Sequence, residues 1–294
     1  MMTVDSRYDN DKARATADAP DGQLLRIDLD AVLRKRAPGA YRRIPKFLVR
    51  WLERTICQDE LNGVLERTRG KRGSEFCAAT LADLDISYTT QGTLPDTSDR
   101  NVLIVSNHPL GALDGIAMID WATRMFGTEV RFVVNDLLMA VKPLEPVFLP
   151  VNKHGRQNRA DAANIEKVFS DPNIPIVVFP AGLCSRKGKE GIADLKWQKM
   201  FVNKAVQYKR DIIPVHFSGR NSAFFYNFAR FRQKIGIKLN IEMIYLPREI
   251  FRSRGTSYVI TVGKTLSWKK FKGGAEAAKE AQAVRKTVYS LAGK

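Results

Sequence analysis

Apolar and polar positions change their period along the chain. Within residues 44–56, IPKFLVRWLERTI, the side chains of Ile44, Phe47, Leu48, Trp51, Leu52 and Ile56 recur at helical spacing on one face. Lys46, Arg50, Glu53 and Arg54 take the other face, so the segment predicts an amphipathic helix. From about Leu84 the period shortens. β-Rich runs occur at 86–90, 102–106, 130–134, 147–151, 174–179, 212–217, 239–245 and 258–262. Helical patterns fall between many of them, at 115–125, 159–169, 197–208 and 223–232, with another at 275–291. Residues 102–105 and 174–179 are apolar on both faces, as buried parallel strands are. The expected fold is α/β: a mainly parallel central sheet flanked by helices, preceded by a basic amphipathic helical segment. Residues 1–21 have Val4 as their only branched aliphatic and read as a disordered tail. The division expected is that tail, a basic helical membrane-associating segment over 22–80, and an α/β domain over 81–294.

Composition narrows the class. Of 294 residues, 44% are hydrophobic and 27% charged, which excludes collagen-like and low-complexity chains. No stretch of about 20 residues is apolar enough to span a bilayer, and no apolar leader follows a basic start, so neither a polytopic membrane protein nor a signal peptide is expected. Cys57, Cys77 and Cys184 have no metal-like spacing, so no metal site and no disulfide framework are expected, and a reducing cytosol is the simplest setting. Charge changes the picture more. The formal net charge is +17, and between Arg34 and Arg72 twelve basic residues face four acidic ones. Such an excess suits an anionic membrane surface, nucleic acid, or acidic small molecules and carrier proteins. Nucleic acid is not expected, because no helix-turn-helix, zinc spacing or RNP-like strand is present. The 44–56 helix either docks on its own domain or lies in a membrane plane through Phe47, Arg50 and Trp51, and both can hold together.

Only three histidines exist. His216 lies inside a strand-like run, where a structural role fits better. His154 is crowded by Lys153, Arg156 and Arg159, whose charges lower its basicity. His108 follows a buried strand directly, in VLIVSNHPLGALDG, and α/β sheets place ligands outside the carboxyl ends of their strands. Asp114 comes six residues later, near the start of the next helix. A carboxylate on one ring nitrogen would fix the tautomer and leave the other nitrogen as a base. The same residues also fit a His-Pro turn followed by a helix cap, and residue type leaves both readings open.

Those residues belong to an ordered set: NHPLGALD after a strand, FPAGLCSRKGKEG about 70 residues on, then IIPV. The set resembles the glycerolipid acyltransferase superfamily of lysophosphatidate and glycerol-3-phosphate acyltransferases, from about residue 40 onward. It is more closely similar to the hemolysin-like bacterial branch associated with O-acylation of ornithine and glycine lyso-lipids. The resemblance implies that His108 is the general base and Asp114 its orienting partner, although five residues separate them here where the superfamily has four. Phe179, Pro180, Gly182 and Ser185 match the third motif, whereas Ala181 replaces its Glu, Cys184 its Arg, and Arg186 is displaced by two. Lys153 and Arg156 stand where the second motif's cations would be, and Ile213, Pro214 and Val215 match the fourth. The departures fall on residues that contact the acceptor's head group, which places a lyso-aminolipid ahead of lysophosphatidate.

The implied enzyme moves a fatty acyl group from acyl carrier protein or coenzyme A to a lysolipid hydroxyl, with no bound cofactor. It would sit in the cytoplasm, peripheral on the inner face of the membrane. Substrate contacts would come from Lys153, Arg156, Phe179, Pro180, Gly182, Ser185 and Arg186. Three rivals stand beside this reading. One is lysophosphatidate acylation, one a basic membrane- or nucleic-acid-binding protein without catalysis, and one a serine hydrolase, which the missing GxSxG elbow disfavours.

Overall fold

The computed structural model describes residues 26–293 apart from 37, 136–137, 140, 152–158 and 190. The expected tail therefore lies outside the described residues, as do His154, Lys153 and Arg156. Five helices precede the sheet: α1 (Leu29–Arg36), α2 (Pro38–Tyr41), α3 (Lys46–Thr55), α4 (Gln58–Arg67) and α5 (Gly73–Asp83). Then follow β1 (Ser87–Gly92), β2 (Val102–Ser106), α6 (Leu113–Phe126), β3 (Arg131–Asn135), β4 (Phe148–Val151), α7 (Arg159–Ser170) and β5 (Ile176–Val178). The chain continues through β6 (Arg186–Gly188), β7 (Gly191–Ala193), α8 (Met200–Tyr208), β8 (Asp211–Phe217), α9 (Ala223–Lys234), α10 (Leu246–Arg252), β9 (Ser257–Val262) and α11 (Ala277–Tyr289).

Seven strands form one sheet in the order β1-β9-β8-β2-β5-β3-β4. All neighbours are parallel except β8 and β9. The fold is the α/β arrangement that the hydrophobic runs imply, with β6 and β7 forming a separate hairpin. Alternate side chains of the central strands feed opposite cores, because successive residues of a strand point to opposite faces. Val102 and Ile104 join α4, α5 and α6 on one side. Leu103 and Val105 join α7, α8 and α11 on the other. Buried Arg210 donates to the carbonyls of Phe169 (2.8 Å), Ile174 (2.9 Å), Val168 and Asp171, so it caps the carboxyl end of α7.

One expected strand is absent. Residues 239–245 form an irregular turn and a 3-10 helix, Ile241–Tyr245, leading into α10. The apolar run misleads there because Leu239 faces solvent, while Glu242 is drawn inside to meet Arg186 (2.9 Å) and Arg232 (2.8 Å). Pro247, in the first turn of α10, has no N–H for a strand ladder.

The apolar stripe of α3 is divided. Leu52 and Ile56 are half-buried, and the buried residue of the helix interior is Val49, which lies outside the expected stripe. Phe47 is 73% exposed and Trp51 46% exposed. No helix among the described residues is long and apolar enough to cross a membrane.

Candidate active site

β2 ends at Ser106, and Asn107 continues it in function. Its side-chain amide donates to the Phe217 carbonyl (2.9 Å) and its oxygen accepts the Phe217 N–H (2.7 Å), pinning the loop to β8. His108 follows at the carboxyl end of the central strand. The chain then turns through Gly111, whose φ of +86° suits glycine, and a Cβ there would meet Cys184 and Leu246 at 3.0 Å. That turn absorbs the fifth residue between His108 and Asp114. It brings Asp114 Oδ2 to 2.9 Å from His108 Nδ1.

Asp114 is fully buried in the first turn of α6. Oδ2 also accepts from the backbone of Leu110 (2.8 Å) and Gly111 (3.3 Å), and Oδ1 from Gly115 (3.0 Å). A carboxylate so supplied with donors can only accept from the ring, so Nδ1 is the donor, and in a neutral ring Nε2 is then the nitrogen with the lone pair. The ring stacks on Phe179 at 4.2 Å, and Phe179 meets Phe132 edge-on at 5.1 Å.

A second carboxylate holds the loop from behind. Asp194, buried after β7, accepts from the His108 backbone N–H (3.2 Å), Ser185 Oγ (2.6 Å) and Trp197 Nε1 (2.9 Å). Its own backbone is clamped by α11, with its N–H donated to the Tyr289 hydroxyl (2.7 Å) and its carbonyl accepting from Arg285 (2.7 Å). Ser185 N–H in turn donates to the His108 carbonyl (2.7 Å).

His108 opens on an apolar cavity of about 370 Å³. Its walls are Leu61, Val64 and Leu65 of α4, Phe76 and Thr80 of α5, Ile116 and Ile119 of α6, Phe132 of β3, and Ile250 and Phe251 of α10. The site thus joins an oriented histidine to an apolar volume.

The acyltransferase family model matches residues 31–294. The chain belongs to the acyltransferase family. It is 40% identical over 271 residues to a lyso-glycine lipid O-acyltransferase of Bacteroides thetaiotaomicron, covering 92% of this chain and 99% of that one. It is 39% identical to a protein of the same name from Phocaeicola vulgatus, covering 92% and 97%. A solved 1-acyl-sn-glycerophosphate acyltransferase from Thermotoga maritima aligns with a TM-score of 0.43 and 18% identity, over 83% of this chain and 96% of that one.

In this acyltransferase the residues singled out from sequence divide by position. His108, Phe179 and Gly182 line the cavity. Pro180 and Ser185 are buried beside it; the Pro180 carbonyl accepts from Gln198 (2.9 Å), and Ser185 serves the Asp194 clamp. Arg186 does not face the cavity. It is buried, paired with Glu242 (2.9 Å) and bonded to the Cys184 carbonyl (2.8 Å), so its charge is engaged within the protein. Ile213, Pro214 and Val215 sit in β8 within the core and do not line the cavity. Cys184 has no access to solvent, and burial pushes its thiol up to about 11 against the opposing pull of Arg186.

Sequence reasoning missed Asp194, Tyr289 and the cavity walls from α4 and α5. Nothing in the local pattern around Asp194 distinguishes it from an ordinary turn residue. The cavity residues were visible only as apolar positions of a basic helical segment.

Proposed function

We propose that this acyltransferase esterifies the free hydroxyl of a mono-acylated aminolipid, a lyso-glycine lipid or its ornithine counterpart, using a fatty acyl thioester. The observation that carries the reading is His108 Nδ1 at 2.9 Å from the buried Asp114 carboxylate, with the ring at the wall of an apolar cavity of about 370 Å³. The similarity to two lyso-glycine lipid O-acyltransferases supports the acceptor class.

In this reading the donor's acyl chain lies in the cavity, which fixes its thioester carbonyl near His108. His108 Nε2 takes the acceptor's hydroxyl proton as the oxygen attacks that carbonyl. The tetrahedral intermediate collapses, the C–S bond breaks, and the imidazolium returns its proton to the departing thiolate. Asp114 stabilises the transient imidazolium. The basic surface suits both acidic donors, acyl carrier protein and coenzyme A. Phe47, Arg50 and Trp51 would bring α3 onto an anionic bilayer, where the acceptor resides.

Purified protein supplied with acyl-acyl carrier protein or acyl-coenzyme A should acylate lyso-glycine lipid, and His108→Ala should lower the rate about 10²–10⁴-fold. Transfer to lysophosphatidate in preference would replace the acceptor while keeping the chemistry. An unaffected His108→Ala variant would remove the base.

A further inference from the structure

Away from the catalytic loop, thirteen large hydrophobic side chains are exposed among the described residues, and five fall in one run: Phe224, Phe231, Ile235, Ile237 and Leu239. α9 buries only its opposite face, where Phe225 and Tyr226 pack on Cys184 and Leu246. Phe224 stacks with Phe228 at 5.8 Å, and both rings meet Tyr245 edge-on, which stiffens the base of the patch. Beyond it every residue from 233 to 239 is exposed, and Leu239 is 74% exposed. Apolar side chains at this density on one surface mark an interaction site.

The charge pattern selects the occupant. No Asp or Glu occurs from Asn221 to Ile241, while Arg230, Lys234 and Lys238 stand exposed among the apolar tips. Cores of protein interfaces are depleted in lysine and other charges. Cations interleaved with aromatic and aliphatic tips are instead the pattern of segments lying in an anionic lipid interface. The tip of α3 has the same make-up, with Phe47 and Trp51 beside Lys46, Arg50 and Arg54.

α10 connects the two. Arg248, Phe251 and Arg252 share a basic groove with Trp51 and Arg54 of α3. Glu249 holds the start of α9, accepting from Ser222 N–H (2.7 Å) and Oγ (2.6 Å). Ile250 and Phe251 line the cavity at His108. We propose that residues 224–239 form a second bilayer-inserting surface, which works with α3 to seat α10 and the cavity on an anionic membrane. The inference builds on the lysolipid reading only in that such a substrate is met at a membrane.

The test uses the full chain and vesicles of equal parts phosphatidylcholine and phosphatidylglycerol, against phosphatidylcholine alone. Phe231→Glu with Leu239→Glu alters exposed tips, so the thermal midpoint should stay at the parent value. Its partition onto the anionic vesicles should fall about tenfold or more. Phe47→Glu with Trp51→Glu should do likewise, and the combined variant should fall further than either. Parent-level vesicle binding by the Phe231/Leu239 variant would overturn the proposal. So would a parent dimer that this variant dissolves, which would make the patch a contact with a second copy. Unchanged vesicle binding with a rate lost only on acyl carrier protein would overturn it too, by assigning the patch to the donor protein. Vesicle binding is read without turnover, so a different acceptor lipid leaves this result standing.

Discussion

Asp114→Asn removes one acceptor oxygen from a side chain that uses both. Oδ2 serves three donors, from His108, Leu110 and Gly111, and Oδ1 serves Gly115. Either orientation of the amide turns an NH2 against an N–H. The less costly one keeps the amide oxygen toward His108 and forfeits the Gly115 bond, a loss of about 1.5–3 kcal/mol for a hydrogen bond to an ion. Removing a negative charge from the first turn of α6 adds about 0.3–1 kcal/mol. The expected destabilisation is therefore about 2–4 kcal/mol. The amide oxygen still accepts from Nδ1, so the ring can keep its orientation, but the imidazolium formed during transfer loses its counter-charge. The rate should fall about 10²–10⁴-fold. His108→Ala should lose a similar rate with far less stability, because its ring is at the cavity edge. Urea midpoints by tryptophan fluorescence and initial rates on the same preparations separate the two effects. An Asp114→Asn variant with the parent's midpoint, or with the parent's rate, would refute the reasoning.

Asp194→Asn should lower kcat about ten- to a hundred-fold with KM nearly unchanged, since Asp194 holds the His108 backbone and lies outside the cavity lining; a KM effect alone would argue against the clamp. Thr80 Oγ1 is buried at the cavity wall and finds no hydrogen-bond partner among the described residues, so Thr80→Val should raise stability by about 1 kcal/mol in urea titration. Burial lowers the His216 pKa below its ordinary value of 6.5, so the folded chain resists protonation there. Its contribution to stability is complete above about pH 6.5 and declines as pH falls through the lower folded value, and His216→Gln should flatten that decline in urea midpoints taken between about pH 7 and pH 5.

The central sheet was legible because its strands are buried on both faces: 102–105 and 174–179 announce themselves by unbroken apolar runs. His108 was legible by its place after such a strand. The engagement of Arg186 was not, because its place near the third motif's Arg reads as a substrate contact. Its partner Glu242, which Arg232 also pairs, comes from a segment 56 residues away, and only the folded chain shows that the charge is engaged. The run at 239–245 failed for the same reason, since one buried Glu outweighed the apolar residues around it. Asp194 is the extreme case. Each of its partners is unremarkable alone, and the role exists only where β2, the β6–β7 hairpin and α11 converge.

That convergence sets an order of events during synthesis. Asp194 is fastened to the body through Tyr289, 95 residues further along, and β1 finds its place in the sheet only against β9. At about 5–20 residues per second, the ribosome needs roughly 10–40 s to pass from His108 to Tyr289. Over that interval the loop gains its backing in stages: Ser185, Asp194 and Trp197 come first, and Tyr289 fastens Asp194 only near the end. A chain interrupted before Tyr289 keeps His108, Asp114 and Asp194 and loses the Tyr289 hold on Asp194. Premature termination should therefore leave an inert fragment, so full-length translation acts as the step that switches the catalyst on.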